Sequence, residues 1–168
     1  PYGYIKGDDD KRLPVVDSEA AAYVRRMFEM RASGISPNHI AQTYNNEGIL
    51  PPGDYKEQKL GIPNTRKSHH LWSSSTVKQV LTNPIYLGHM VQLKTTNVSY
   101  KNKKQIKRDP EDMVWVYNTH EAIVTQELCD RCREMEASVS QGKKNKTGYV
   151  NPLSGLVICA DCGNKMYI

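Results

Sequence analysis

Apolar residues recur at helical spacing in four places along the chain. Ala20, Val24, Met27 and Phe28 share one face of a stretch that Asp17 can cap and Gly34 can end, which predicts a helix over residues 17–32. Ser36-Pro37 is a second start, a hydroxyl cap followed by a proline where no amide hydrogen is needed. Ile40, Ala41 and Tyr44 form the buried face of that helix, and Gly48 ends it. Ser73 caps a third helix with Val77, Val80 and Leu81 as its apolar stripe and Asn83-Pro84 as its stop. Thr125 caps a fourth, in which Leu128, Cys132, Met135 and Val139 recur every three or four residues up to Gly142. Extended segments are expected at residues 2–6 and 13–16, as a hairpin or an N-terminal arm, and at 85–93 and 114–117, with Ile123-Val124 extending that layer. Residues 50–71, with Pro51, Pro52, Gly53, Gly61 and Pro63, read as a long irregular connection. Residues 94–108 have little apolar content beyond Val98 and Ile106 and read as a flexible loop. The class is therefore α+β: a mainly helical domain with a small antiparallel sheet over residues 1–142, then a basic linker and a cysteine-bearing segment over 143–168.

Charge sharpens this picture. The chain carries a net +5, but residues 56–108 alone carry 11 basic and 1 acidic side chain, while the flanking segments are mildly acidic. A concentration of positive charge of that kind attracts a polyanion, most commonly nucleic acid. The third helix lies inside it. Ser74, Ser75, Lys78, Gln79 and Thr82 fall off its apolar stripe, and side chains of these types contact base edges and phosphates in a groove. Arg66, Lys67, Lys94, Lys101, Lys103, Lys104, Lys107 and Arg108 are expected to supply mainly phosphate contacts. Double-stranded DNA is the expected partner. Aromatic residues are scattered along the chain, with no obvious platform on which single-stranded bases would stack. No run of eighteen apolar residues is present, so no membrane span is expected.

Four cysteines form two Cys-x-x-Cys pairs. Cys159 and Cys162, followed by Gly163, have the form of a zinc knuckle, in which two thiolates reach one metal. A tetrahedral site needs two more donors. Cys132 lies on the stripe of the fourth helix and reads as a core residue, with Cys129 one position off it. Donors beyond Ile168 therefore fit better than Cys129 and Cys132, and the pair reads as half of a ribbon. There is no His-Glu-x-x-His, phosphate-binding glycine loop or nucleophile elbow, and Asp8, Asp9 and Asp10 read as an acidic turn. No self-contained catalytic constellation is found.

Six blocks in order resemble the large serine recombinases, the phage integrases and transposon-encoded resolvase/invertase-type proteins. They are Pro1-Tyr2-Gly3-Tyr4; the helix from Glu19 to Glu29; Ile40 to Ile49, with Tyr44 where the family usually has leucine; and Trp72-Ser73-x-Ser75-Thr76-Val77 through Leu81-x-Asn83-Pro84-x-Tyr86-x-Gly88. His120-x-Ala122-Ile123-Val124 and Leu153-Ser154-Gly155-Leu156-Val157-x-Cys159-x-x-Cys162-Gly163 complete them. The resemblance implies a DNA-binding recombinase domain followed by a zinc ribbon whose second cysteine pair lies further on, so Zn2+ is expected in the intact parent protein. It also implies a catalytic serine in a separate N-terminal domain; Ser18, Ser33 and Ser73 to Ser75 do not inherit that role. The expected function is sequence-specific binding of duplex DNA at a recombination site. The parent is expected to self-associate through regions outside these residues and to act on DNA in a bacterial or phage-infected cytoplasm. Residues 1–6 are expected to join the catalytic domain and to lie along the DNA. Two alternatives stay open: a zinc-ribbon module for other nucleic acids, and a protein-interaction domain whose basic loop is only solvated surface.

Overall fold

The computed structural model describes residues 1–7, 13–61, 63, 70–138 and 157–160. The expected hairpin forms: β1 (Tyr4–Lys6) pairs antiparallel with β2 (Pro14–Val16), Tyr4 opposite Val16. It is not an arm. Tyr2 and Tyr4 are buried in the core, and the Tyr4 hydroxyl shares its hydrogen between the carbonyls of Glu121 (2.9 Å) and Ile85 (3.2 Å). These two rings are therefore held within this domain.

Four helices match the apolar periodicity: α1 (Ser18–Ala32), α2 (Pro37–Asn46), α4 (Ser74–Leu81) and α5 (Gln126–Ser138). The Ser36 hydroxyl accepts the His39 amide and the Thr125 hydroxyl accepts the Leu128 amide, as the cap readings require. Asp17 occupies the N-cap position of α1, but its side chain makes no cap bond. It turns instead to α3 (Pro52–Leu60), a helix inside the segment expected to be irregular. The Tyr55 hydroxyl donates to Asp17 at 2.8 Å, and the Lys59 ammonium lies at 2.7 Å. Burial pushes the Asp17 carboxyl up, but the Lys59 ammonium and Tyr55 hydroxyl outweigh it and hold it below the usual carboxylate range.

The core is one cluster. Val24, Met27 and Phe28 of α1, Ile40 and Tyr44 of α2, and Val77 of α4 are fully or almost fully buried, and Trp72, Tyr86, Ile123 and Val124 close over them. Tyr44 is accommodated because its hydroxyl donates to the Tyr23 carbonyl at 2.6 Å and its ring meets Trp72 edge-on. α5 packs on α1 through Leu128, Cys129 and Cys132, and the buried Arg31 guanidinium reaches Glu136 at 2.8 Å. Cys129 is thus a core residue too, not one lying beside the stripe. Val139 and the expected boundary at residue 142 lie outside the described residues.

The β layer differs most from expectation. Residues 85–93 do not run as one strand. Asn83 accepts the Ile85 amide and starts a 3-10 turn over Pro84–Leu87, leaving β3 only Met90–Gln92. β3 pairs antiparallel with β6 (Val114–Val116), and between them β4 (Thr95–Asn97) pairs with β5 (Gln105–Lys107). The segment expected to be a flexible loop is therefore a hairpin. Ile123 and Val124 are buried without joining a strand, and both amides donate to the Tyr86 carbonyl. Gly88 ends the 3-10 turn at φ +82°, and a Cβ there would lie 2.7 Å from the His120 carbonyl oxygen. Gly88→Ala combines backbone strain with a clash against main chain, so a loss of about 3 kcal/mol is expected in urea unfolding. A loss below about 1 kcal/mol would show that the approach to His120 relaxes freely.

Candidate nucleic-acid interface

The candidate recognition helix α4 is set by its flanks. The Ser73 hydroxyl accepts the Thr76 amide at 3.2 Å, capping the first turn as expected. Trp72 is stitched to α2: its amide donates to Asn45 Oδ1 at 2.8 Å, Asn45 Nδ2 donates back to its carbonyl at 3.0 Å, and its indole donates to the Ile49 carbonyl at 2.9 Å. Val77 and Val80 face the core. With that stripe fixed, Ser75, Lys78, Gln79 and Thr82 are all exposed, at helical positions that share one face. Ser74 is half-buried and sits at the edge of that face. The Thr82 hydroxyl donates to the Lys78 carbonyl at 2.8 Å, which leaves it an acceptor for an outside donor. Behind Lys78 and Thr82 a groove of about 360 Å³ runs between α4 and α5, lined also by Arg31, Leu81, Cys132 and Arg133.

The cations sort into two groups. Arg26, Arg31, Lys59 and Arg133 are ion-paired within the fold. Lys78, Lys94, Lys101, Lys103, Lys104 and Lys107 are exposed, and among the described residues none of them forms an ion pair. The last five lie along the β4–β5 hairpin, whose tip is ordered by the Val98 amide donating to Lys104 and the Asn102 amide to Ser99 Oγ. Arg108 is only half-buried, and its buried Nε finds no partner, so it is a poorer free contact than its neighbours. Arg66 and Lys67 lie outside the described residues. One group of residues was missed from the sequence. β6 and its continuation bring Trp115 and Tyr117 together with their rings near parallel, and His89 meets Tyr117 edge-on, so the aromatics are not all scattered. The alternation Val114-Trp115-Val116-Tyr117 was the available signal, because alternate strand residues share a face.

For the knuckle, Cys159 is described and Cys162 is not. Cys129 and Cys132 are held in the core. Both are buried, which pushes their thiols up, and the Cys132 thiol donates to the Phe28 carbonyl. Among the described residues no group of three or more candidate ligands converges. No helix among the described residues is long and apolar enough to cross a membrane.

Comparison with known proteins places this geometry. The "Putative DNA recombinase" of Bacillus subtilis (strain 168) is 30% identical over 98% of this chain and 32% of its own length. The "Uncharacterized protein YefB" of the same organism is 22% identical over 73% of this chain and 38% of its length. The chain thus spans about a third of the curated relatives it matches. Two solved structures share the fold at 20% identity. One, from work on the sequence requirements of the Listeria innocua prophage attP site, has TM-score 0.51 over 99% of this chain and 54% of that one. The other, from a crystal structure of an LSR–DNA complex, has TM-score 0.50 over 98% of this chain and 40% of that one. The family model described as Recombinase matches residues 18–138, from the start of α1 to the end of α5, and the chain belongs to that family.

Proposed function

We propose that this chain recognises double-stranded DNA at a recombination site, as the DNA-reading part of a site-specific serine recombinase acting in the cytoplasm. The observation that carries the reading is the pairing of an exposed polar face on α4 with exposed cations that form no ion pair among the described residues. A buried stripe holds α4 to its own domain while Ser75, Lys78, Gln79 and Thr82 face outward, as a helix entering a major groove requires. Lys94, Lys101, Lys103, Lys104 and Lys107 supply phosphate contacts, joined by Arg66 and Lys67 from outside the described residues. The relative named as a DNA recombinase and the neighbour from an LSR–DNA complex support the same reading. Cutting, strand exchange and self-association belong to regions of the parent outside residues 1–168. Cys159 and Cys162 are read as two thiolates of a four-donor Zn2+ site. The commitment of Cys129 and Cys132 to the core supports seeking the other donors elsewhere.

Selection from random duplex DNA tests this reading. Wild type is expected to enrich a defined half-site, and Lys78→Ala with Gln79→Ala to lose that preference by roughly 10- to 100-fold per contacted position while retaining nonspecific affinity. If the double variant selects the same sequence as wild type, α4 is not the reading element.

A further inference from the structure

The β3–β6 ribbon carries a ring surface that DNA reading by α4 does not use. Val91 stands opposite Trp115 in the antiparallel register. Two residues along, the His89 and Tyr117 rings meet with centroids 5.0 Å apart. Trp115 and Tyr117 lie 18° from parallel at 6.2 Å. His89, Val91, Trp115 and Tyr117 therefore share one face of the ribbon. Trp115 is 40% exposed and Tyr117 64%, so two large rings forgo burial that a core would give them. The indole is also held, its N–H donating to the Pro110 carbonyl at 3.3 Å.

The ribbon continues into the basic hairpin. The Arg108 amide donates to the Lys94 carbonyl at 3.0 Å, and Thr95 then pairs with Lys107. Asp109, Glu111 and Asp112 lie on the turn before β6, yet with six cations against these three carboxylates residues 94–117 carry a net +3. Flat exposed rings beside exposed lysines that form no ion pair among the described residues match a ligand that has both a π-face and a phosphate chain. That charge selects a nucleic acid over a second copy of the chain or an apolar peptide.

We propose that the β3–β6 ribbon is a stacking site for single-stranded DNA, with Trp115 and Tyr117 as the platform for bases and Lys94 and Lys107 holding the adjoining phosphates. The ring platform is distinct from α4 and does not rest on duplex reading by that helix, although Lys94 and Lys107 serve phosphates in both. Trp72 is only 3% exposed, so a change in tryptophan emission on adding a ligand reports Trp115. Titration of the chain with an oligothymidylate of roughly 16 nucleotides is expected to quench that emission. An abasic chain of the same length and charge is expected to bind about 10-fold or more weakly. Trp115→Ala with Tyr117→Ala is expected to weaken oligothymidylate binding by about 10-fold or more and to leave duplex affinity within about 2-fold, while Trp115→Phe keeps most of the affinity. Unchanged emission at saturation, equal binding of the abasic chain, or parallel loss of duplex binding would each overturn the site. So would sedimentation showing a dimer that the double alanine variant dissolves, since a second copy would then occupy the face. Loss of duplex preference in the α4 variant with oligothymidylate binding intact would separate the two sites.

Discussion

Raising salt from 50 to 200 mM is expected to lower affinity for duplex DNA by about 10³-fold, on the basis of roughly six phosphate contacts. Replacing Lys101, Lys103, Lys104 and Lys107 together with glutamine should flatten the slope of log affinity against log salt by between about 3 and 4, since each lost contact removes about 0.9. All four side chains are exposed and none is ion-paired among the described residues, so their loss breaks no internal bridge and should leave the fold intact. The hairpin makes this a sharper test than a flexible loop would. Backbone pairing of Thr95 with Lys107 and Asn97 with Gln105, with the Val98 amide bonded to the Lys104 carbonyl, fixes where the charges sit before any ligand arrives. A fixed ribbon costs less ordering entropy on binding than a loop. Fluorescence anisotropy over a salt series measures the slope. A variant whose slope equals that of wild type would show that these lysines are solvated surface, and the protein-interaction reading would regain its ground.

Where the sequence was legible, local chemistry and tertiary packing agree. The stripes of α1, α2 and α4 and the caps at Ser36, Ser73 and Thr125 appear as read, because each helix both prefers its conformation and buries the same face. α3 was hidden because its residues carry no apolar stripe. It is held by partners distant in sequence, Tyr55 against the Tyr2 ring and Lys59 on Asp17. Local signs were nonetheless present: Pro52 opens it, Asp54 sits in its first turn, and Gly61 closes it in the left-handed region. The same distant pull explains Asp17, whose carboxylate left the cap for an ammonium. The β4–β5 hairpin was masked by its lysines, since charge reads as solvated loop even where Thr95, Thr96 and Ile106 favour a strand. The polar face of α4 was legible because its buried complement, Val77 and Val80, could be read first. The ring face of β3–β6 was not, because it depends on a register that pairs residues some 25 apart, as Val91 with Trp115.

The anchoring of α4 can be tested through Trp72. Trp72→Ala is expected to destabilise the chain by about 4 kcal/mol, the range for removing a buried large aromatic ring. For a domain of this size that lowers Tm by roughly 10 °C. The ring is the middle of a chain of edge-to-face contacts, meeting Tyr2 at 5.3 Å and Tyr44 at 5.5 Å, with Tyr55 beyond Tyr2. Its removal therefore leaves a cavity lined by rigid rings, which collapse poorly. The backbone bonds from Asn45 to residue 72 do not depend on the indole, so the segment stays tethered while losing its packing. Trp72→Phe separates the two contributions. It keeps most of the ring and strands the Ile49 carbonyl that the indole N–H satisfies, a cost of about 1 to 2 kcal/mol. Because Ser73, the cap of α4, follows directly, the alanine variant should also lose duplex sequence preference below its own melting temperature, whereas the phenylalanine variant should retain it. Calorimetry and half-site selection at one low temperature measure both. A drop in Tm of less than about 3 °C for Trp72→Ala would show that α4 is positioned by Val77 and Val80 without help from the ring in front of it.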